Sequence, residues 1–340
     1  MDKTNWPKIG VGILVLFLVG VFLRLARPVL IPFALALVFS FAVSPALDFL
    51  VRRKVPKALA LALTLFLSFA VLFLIGTVFY SGGKSLADEL PSYTEMVRAF
   101  FAKVDSLVPD PRLRVGLTEW FQGFNVGQAG AFVLAALGPF FAFMSELLLV
   151  FVFMTFILAG RGRLVRKFDQ AFPASEASTL SRTAARIDCE IQKYLGIKTL
   201  TNLLIGILTA AVLGLLGVRF AVVFGVLAVL FNYVPTLGAV AAVALPTLLA
   251  LFLEGGLTVK VVLALALLAA IHVALHRLFE HRLMAREVNL SPLLVLFNLI
   301  FWLWLWGIAG MILAVPLLTA ARIFFDNVPS LRFLGTMMDR

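Results

Sequence analysis

The three histidines of the chain, His272, His276 and His281, fall within ten residues, and Glu280 precedes the last of them. Intervals of four place His272, His276 and Glu280 on one face of a helix. Two histidines one turn apart can ligate a metal, but the intervening Val, Ala and Leu omit the glutamate of a zinc-protease HExxH helix. We predict no metal site and take His272, His276 and Glu280 as proton-coupling candidates. The alternative is a solvated helix end.

A further titratable candidate is Glu146, which lies nine residues into the apolar run 138–160. No other charged residue occurs between Glu119 and Arg161. An ionised carboxylate that faces lipid costs several kcal/mol, so this side chain is expected to face the bundle interior, to be protonated or to find a partner. We predict Glu146 as a proton-coupling candidate, with a neutral, hydrogen-bonded structural acid as the alternative.

Uncharged polar side chains also interrupt the apolar runs, and interhelical hydrogen bonding is their default role in lipid. These side chains are Asn202, Asn232, Tyr233 and Asn298. Asn232 has distinctive surroundings, because Pro235 removes a backbone donor and Gly238 permits unwinding in the run FNYVPTLG. Backbone carbonyls would then lie beside an amide side chain, as they do in transporter sites. A proline kink that only serves helix packing is the alternative.

A second break is predicted in the run GIAGMILAVP at 307–316. Unwound backbone is tolerated at membrane depth only where it is buried in protein or lies beside water. We therefore predict that the two breaks approach each other and line the solute or ion path. The predicted path residues are Asn202, Asn232, Tyr233, Pro235, Gly238, Asn298, Gly307, Gly310 and Pro316.

The composition excludes a water-soluble protein, since 62% of the 340 residues are hydrophobic and only 14% are charged. The net charge of +11 lies mostly in short segments between apolar runs, which membrane insertion explains and nucleic-acid binding does not. The single cysteine, Cys189, excludes an intrachain disulfide and a thiolate metal site. Gly83-Lys84-Ser85 lacks the first glycine of a phosphate-binding loop, so neither ATP nor another cofactor is predicted.

Eight apolar segments indicate an all-α, polytopic transmembrane bundle, because a crossing takes about 20 helical residues. The segments are 9–26, 28–51, 57–80, 138–160, 199–217, 220–253, 257–276 and 291–325. Two of them, 220–253 and 291–325, are too long for one helix and contain Gly and Pro. Each is predicted to form either a tight helical hairpin or a re-entrant pair, so that the chain returns to its starting side.

Orientation follows from the basic residues. The link after the second segment is basic, and 161–198 carries eight basic residues against four acidic ones, so both are predicted to be cytoplasmic with the two termini. The stretch 81–137 is then an extracytoplasmic insert of amphipathic helices that lie on the membrane or cap a cavity. The predicted regions are 1–80 with three segments, 81–137, 138–160 with the fourth segment, the link 161–198, the transport core 199–325 and the tail 326–340.

Three blocks resemble the autoinducer-2 exporter family of bacterial membrane proteins. They are YLGIKTLTNLLIG at 194–206, FNYVPTLGAVAAVALP at 231–246, and the run from Glu280 through NLSPLLVLF to WGIAGMILAVPLL at 306–318. The early run RPVLIPFALALVFSFAVSPALDFL is similar to the second helix of that family. The resemblance implies a multi-spanning, oligomeric carrier, and it carries over Pro235, Gly238, Gly307, Gly310 and Pro316 as backbone-shaping positions. Family members export a small furanone-type quorum signal or are proposed to exchange sodium for protons.

The sequence and the resemblance together predict a secondary transporter in the bacterial inner membrane. It would form a homo-oligomer in the lipid bilayer, export a small polar or amphiphilic solute and be coupled to H⁺ or Na⁺. A passive channel and a sodium/proton antiporter are the alternatives. An enzyme is not predicted, because the chain has neither a nucleophile elbow nor a zinc helix.

The predicted orientation can be tested with single cysteines in a Cys189→Ala background. Because 81–137 is expected outside and 161–198 inside, Ser92→Cys should react with an impermeant thiol reagent in intact cells. Ser178→Cys should react only after the membrane is permeabilised. Labelling of both positions from outside would contradict the orientation.

Overall fold

The computed structural model describes residues 6–107, 146–160, 174–234, 237–276, 291–327 and 332–338, and no residue in these ranges belongs to a β-strand. Ten helices are described. They are α1 (Trp6–Leu25), α2 (Arg27–Arg52), α3 (Lys57–Leu107), α4 (Glu146–Gly160), α5 (Ala174–Leu215), α6 (Ala221–Phe231), α7 (Leu237–Leu253), α8 (Val259–Leu275), α9 (Pro292–Asn327) and α10 (Arg332–Met337).

The helices are membrane helices by length and composition. Four described stretches are long and apolar enough to cross a bilayer: Arg27–Arg52, Lys57–Ser85, Ser181–Leu215 and Leu293–Asn327. Large apolar side chains on these and neighbouring helices are exposed, among them Phe66 and Phe156, as expected where a helix faces lipid. The predicted all-α, multi-pass class is therefore confirmed.

Two helices are longer than the sequence predicts. The predicted segment 57–80 and the start of the insert form the single helix α3, and the link up to residue 198 is continuous with the next segment in α5. At 1.5 Å per residue these helices rise about 75 and 63 Å, so each extends well beyond a hydrocarbon core of about 30 Å. The predicted boundaries at 80/81 and 198/199 separate membrane regions and are not helix ends, since the helices continue through both. The location of these regions relative to the membrane stays a prediction. The rest of the insert and 161–173 lie outside the described residues.

The chain forms two compact units. Unit one comprises 1–65, 146–195 and 286–340, and unit two comprises 66–145 and 196–285. In unit one, Leu47, Ala60 and Leu158 join α2, α3 and α4 in one buried cluster. The Trp306 indole donates a hydrogen bond of 3.1 Å to the Leu23 carbonyl, one of the last carbonyls of α1, which have no partner within their own helix.

Unit two depends on close backbone contact between α5 and α6. A Cβ at Gly225 would lie 2.7 Å from the Gly206 carbonyl oxygen and 2.8 Å from the Ala210 Cβ, so only small residues allow the two helices to approach this closely. Helix α8 completes the packing through Val261 and Leu268, which share a buried cluster with residues of α5 to α7.

Helices α6 and α7 form an antiparallel hairpin. Ala228 and Ala242, which lie close to the turn, share one buried cluster. Phe224 and Ala250, which lie further from the turn, share another, as expected for antiparallel arms. The predicted break in 220–253 is confirmed. With 11 and 17 residues, the arms rise about 17 and 26 Å, which is short of the hydrocarbon thickness.

Helix α9 also folds back on itself. The Asn298 amide donates a hydrogen bond of 2.8 Å to the Ala314 carbonyl, whereas sixteen residues of straight helix would separate them by about 24 Å. The reversal lies at Gly307, whose φ of 65° and ψ of −146° are outside the helical region. The predicted break in 291–325 is confirmed, but it lies at Gly307 alone. Pro316 is inside the second helical arm and does not form the bend.

The reversal at Gly307 predicts a stability effect that arises from the backbone alone. No atom lies within 4 Å of a Cβ built at Gly307, so Gly307→Ala meets no steric clash and loses only the freedom to adopt positive φ. We expect a destabilisation of about 1–3 kcal/mol, measured as a lower melting temperature in detergent. The control is Gly214→Ala, which lies in open space within α5 and should be neutral or stabilising by about 0.5–1 kcal/mol. Equal melting temperatures for both variants would contradict the assignment of the bend.

Candidate functional site

Three polar side chains meet in unit two where α6 ends. Asn232 follows the last residue of α6 and is 2% exposed, and His272 of α8 is 4% exposed. The Asn232 Nδ2 lies 3.2 Å from His272 Nε2, and the Asn232 Oδ1 lies 3.3 Å from His276 Nε2. We call Asn232, His272 and His276 the Asn–His cluster.

Two backbone carbonyls fix the proton positions in this cluster, since a carbonyl oxygen only accepts. Asn232 Nδ2 donates to the Ala228 carbonyl at 2.6 Å, so the amide nitrogen must face His272. His272 Nδ1 donates to the Leu268 carbonyl at 3.0 Å. His272 Nε2 therefore accepts the Asn232 hydrogen and carries no proton, while His276 Nε2 donates to Asn232 Oδ1. The described arrangement requires a neutral His272.

The local sequence explains why these groups meet. Buried residues recur along α8 at Val261, Ala264, Leu268 and His272, at intervals of three and four, so His272 continues the buried face of the helix. The two imidazole centroids are 6.1 Å apart, and His272 and His276 share one helical face as predicted. Glu280 lies outside the described residues. Whether the histidines carry transported protons stays a prediction.

The hairpin turn holds Asn232 in place through Gly238. A Cβ at Gly238 would overlap the Phe231 carbonyl oxygen, so glycine is required where the start of α7 passes the end of α6. The Tyr233 hydroxyl is hydrogen-bonded to Thr199 of α5 at 2.8 Å, which ties the same turn to a second helix. Pro235 lies outside the described residues.

Helix α5 presents a second polar group, the buried polar face, which consists of Thr201, Asn202 and Thr209. All three side chains are 0% exposed. The Asn202 Oδ1 and Nδ2 and the two threonine hydroxyls have no hydrogen-bond partner among the described residues.

The two threonines differ from other buried or half-buried helical threonines of the chain. Such hydroxyls ordinarily donate to the carbonyl one turn back, and four described threonines do so: Thr64, Thr155, Thr247 and Thr319. Sequence reasoning selected Asn202 and missed Thr201 and Thr209. Their helical spacing around Asn202 within an apolar segment was the signal that could have found them.

In the α9 hairpin of unit one, the polar side chain of Asn298 forms its hydrogen bonds within the hairpin itself. Asn298 donates to the Ala314 carbonyl on the opposite arm and accepts a hydrogen bond of 3.0 Å from the Trp302 indole. Gly310 is buried, and a Cβ there would overlap the Trp302 carbonyl oxygen. Both residues therefore hold the hairpin together. The two predicted breaks belong to different units, so their approach to each other stays a prediction.

The remaining candidates are Glu146 and groups of residues that could ligate a metal. Glu146 is the first described residue of α4, and its side chain is exposed. Its role in proton coupling stays a prediction. No group of three or more His, Cys, Asp or Glu suited to a metal occurs among the described residues.

Comparison with known proteins matches residues 11–330 to the AI-2E family transporter model. The chain belongs to the AI-2E transporter family. It is 31% identical over 321 residues to the AI-2 transport protein TqsA of Escherichia coli K12, covering 94% of this chain and 91% of the relative. It is 30% identical over 328 residues to a putative transport protein of Borreliella burgdorferi, covering 95% and 89%.

A third relative, a putative transport protein of Haemophilus influenzae, is 28% identical over 327 residues, covering 95% of this chain and 92% of the relative. Membership of the AI-2E transporter family agrees with the apolar helices and confirms the resemblance seen in the sequence. The chain is a multi-pass membrane protein of a transporter family.

The close contact at Gly238 predicts that one added methyl group disturbs the Asn–His cluster. Gly238→Ala must displace the Phe231 carbonyl and with it the neighbouring Asn232, so we expect a melting temperature lower by an amount equivalent to about 1–3 kcal/mol. Gly196→Ala is the matched control in unit two, because a Cβ there meets nothing within 4 Å. Equal melting temperatures for Gly238→Ala and Gly196→Ala would show that the hairpin tip is not tightly packed.

Proposed function

We propose that the protein is a secondary transporter of the inner membrane that exports a small polar solute along the buried polar face of α5. The transporter family supports transport as such. The solute, its direction and its coupling are the proposal, and they rest on one observation: the Asn202 amide is fully buried, and neither of its polar atoms has a partner among the described residues.

A buried amide without partners is costly. Each unsatisfied polar group costs about 1–3 kcal/mol, and native structures contain few of them. Leu, Ile or Ala at positions 201, 202 and 209 would remove this cost and suit the apolar segment better. A transported solute with donors and acceptors offers a reason to keep the polar groups, because it can hydrogen-bond to them during passage.

Lys198 supports a choice of solute charge. It precedes Thr201 and Asn202 by one turn, on the same face of α5, and is 4% exposed. This face offers an ammonium group, an amide and hydroxyls but no carboxylate, the ligand that metal cations favour. We therefore infer a neutral or anionic solute. A path for Na⁺ would favour carboxylate or other oxygen ligands in place of a lysine, so the sodium/proton antiporter is less well supported.

Efflux from proteoliposomes tests this function. Vesicles that contain the purified protein are loaded with AI-2, ribose, lactate or choline. We expect saturable efflux of at least one of the neutral or anionic solutes and none of choline. Efflux that never saturates, with ionic current, would indicate a passive channel. Efflux no faster than from protein-free vesicles for all four solutes would contradict the proposal.

Two apolar substitutions in the buried polar face, compared with a threonine control elsewhere in unit two, test the solute path directly. Thr209→Val and Asn202→Leu should lower efflux at least about tenfold, equivalent to 1.4 kcal/mol. The same variants should melt at equal or higher temperature, because each replaces an unsatisfied polar group with an apolar one.

The matched control is Thr247→Val, whose hydroxyl donates to the Val243 carbonyl at 2.7 Å. It should keep normal efflux and lose about 0.5–1.5 kcal/mol of stability. Normal efflux in Thr209→Val and Asn202→Leu would remove α5 from the solute path.

A further inference from the structure

We propose that protonation of His272 in the Asn–His cluster releases Asn232 from the end of α6. The cluster then couples proton binding to the shape of the α6–α7 hairpin. This inference rests on the proposed function only in that a secondary transporter needs a coupling ion. The hydrogen-bond geometry stands independently of any solute.

A positive charge affects the hydrogen bonds of the two histidines differently. His276 donates from Nε2 to Asn232 Oδ1 at 3.3 Å, and both a neutral and a charged ring can make that hydrogen bond. On His272 the added proton must enter at Nε2, because Nδ1 already donates to the Leu268 carbonyl. It would then face the Asn232 Nδ2, and two donors would oppose each other.

The Asn232 amide cannot resolve this conflict by turning over in place. Turning would direct Oδ1 at the proton on His272, but it would also direct Oδ1 at the Ala228 carbonyl, which now accepts from Nδ2 at 2.6 Å. Two acceptors would then oppose each other. Asn232 must therefore leave either His272 or Ala228, and both moves displace the residue that ends α6.

The turn is built so that a movement of Asn232 reaches the backbone. The Phe231 carbonyl, next to Asn232, lies against Gly238 at the start of α7 with no room for a Cβ. The Val234 amide donates to the same carbonyl at 2.8 Å. Displacing Asn232 therefore moves the contact on which the closed hairpin tip depends.

Few other titratable groups belong to the described surroundings of Asn232. Helices α6 and α7 contain no titratable residue, the part of α5 in unit two contributes only Lys198, and the turn contributes Tyr233. On α8, besides the histidines, Lys260 is paired with Glu254. Helix α3 meets α6 at Val223, nine residues before Asn232, and carries Tyr80, Lys84, Asp88 and Glu89 near that contact. Lysine and tyrosine ordinarily titrate at about pH 10 and carboxylates at about pH 4, so among these described groups histidine is the one that changes charge between about pH 5 and 8.

Hydrogen–deuterium exchange of the protein in lipid nanodiscs, without any solute, tests the coupling. After correction for intrinsic exchange, we expect protection of the amides at 228–234 to fall at least about tenfold between about pH 8 and pH 5. The amides at 298–314 in the second hairpin serve as the internal reference and should keep their protection. Unchanged protection at 228–234 in the wild type would overturn the proposal.

Two substitutions identify the responsible ring. His272→Gln can still accept from Asn232 but cannot gain a charge, so its protection at 228–234 should no longer depend on pH. His276→Gln can still donate to Asn232 and should keep the response of the wild type. A full response in His272→Gln would overturn the assignment. If that variant does not fold, His276→Gln still decides, because loss of the pH response in that variant would overturn the assignment to His272.

The experiments can contradict the proposed proton site and the proposed solute path independently of each other. A pH response at 228–234 with no efflux of AI-2, ribose or lactate would leave the proton site intact and contradict the proposed function. Efflux with the same rate at all pH values, together with pH-independent protection, would contradict the proton site and leave the solute path.

Discussion

The structure depends on a requirement imposed by the membrane, which is that each polar group in an apolar segment needs a partner inside the protein. The end of α6 exposes backbone carbonyls at such a place, and Asn232 uses one side chain to contact the Ala228 carbonyl and both histidines. Because carbonyl oxygens only accept, the Ala228 and Leu268 carbonyls determine the direction of the hydrogen bonds that join Asn232 to the two rings. The polar cluster, the hairpin turn and the proposed coupling all follow from that constraint.

The same requirement separates structural from functional polar residues. Asn298 satisfies its amide between the Ala314 carbonyl and the Trp302 indole, and so it closes a hairpin. Asn202 is more deeply buried than Asn298 but has no partner among the described residues. In the sequence, both residues are asparagines within apolar runs. Only their hydrogen bonds distinguish Asn298, which closes a hairpin, from Asn202, the candidate solute contact.

Much of this could be predicted from the sequence, because lipid makes hydrophobic runs and helix breakers informative. Pro235 and Gly238 correctly indicated one break, and Gly307 indicated the other. The continuation of α3 and α5 through residues 80 and 198 could not be predicted, since charge patterning indicates where a membrane ends and not where a helix does. Thr201 and Thr209 were missed because the hydroxyl of a helical threonine usually donates to a carbonyl of its own helix.

The central claim is that His272 is held neutral, with its proton on Nδ1, while the hairpin is closed. The chain has three histidines, so selective ¹⁵N labelling of histidine gives few enough ring signals to assign with His272→Gln and His276→Gln. Solid-state NMR of the protein in lipid at neutral pH should show the His272 ring protonated at Nδ1 and unprotonated at Nε2. A His272 ring that is protonated at Nε2 under these conditions would contradict the account.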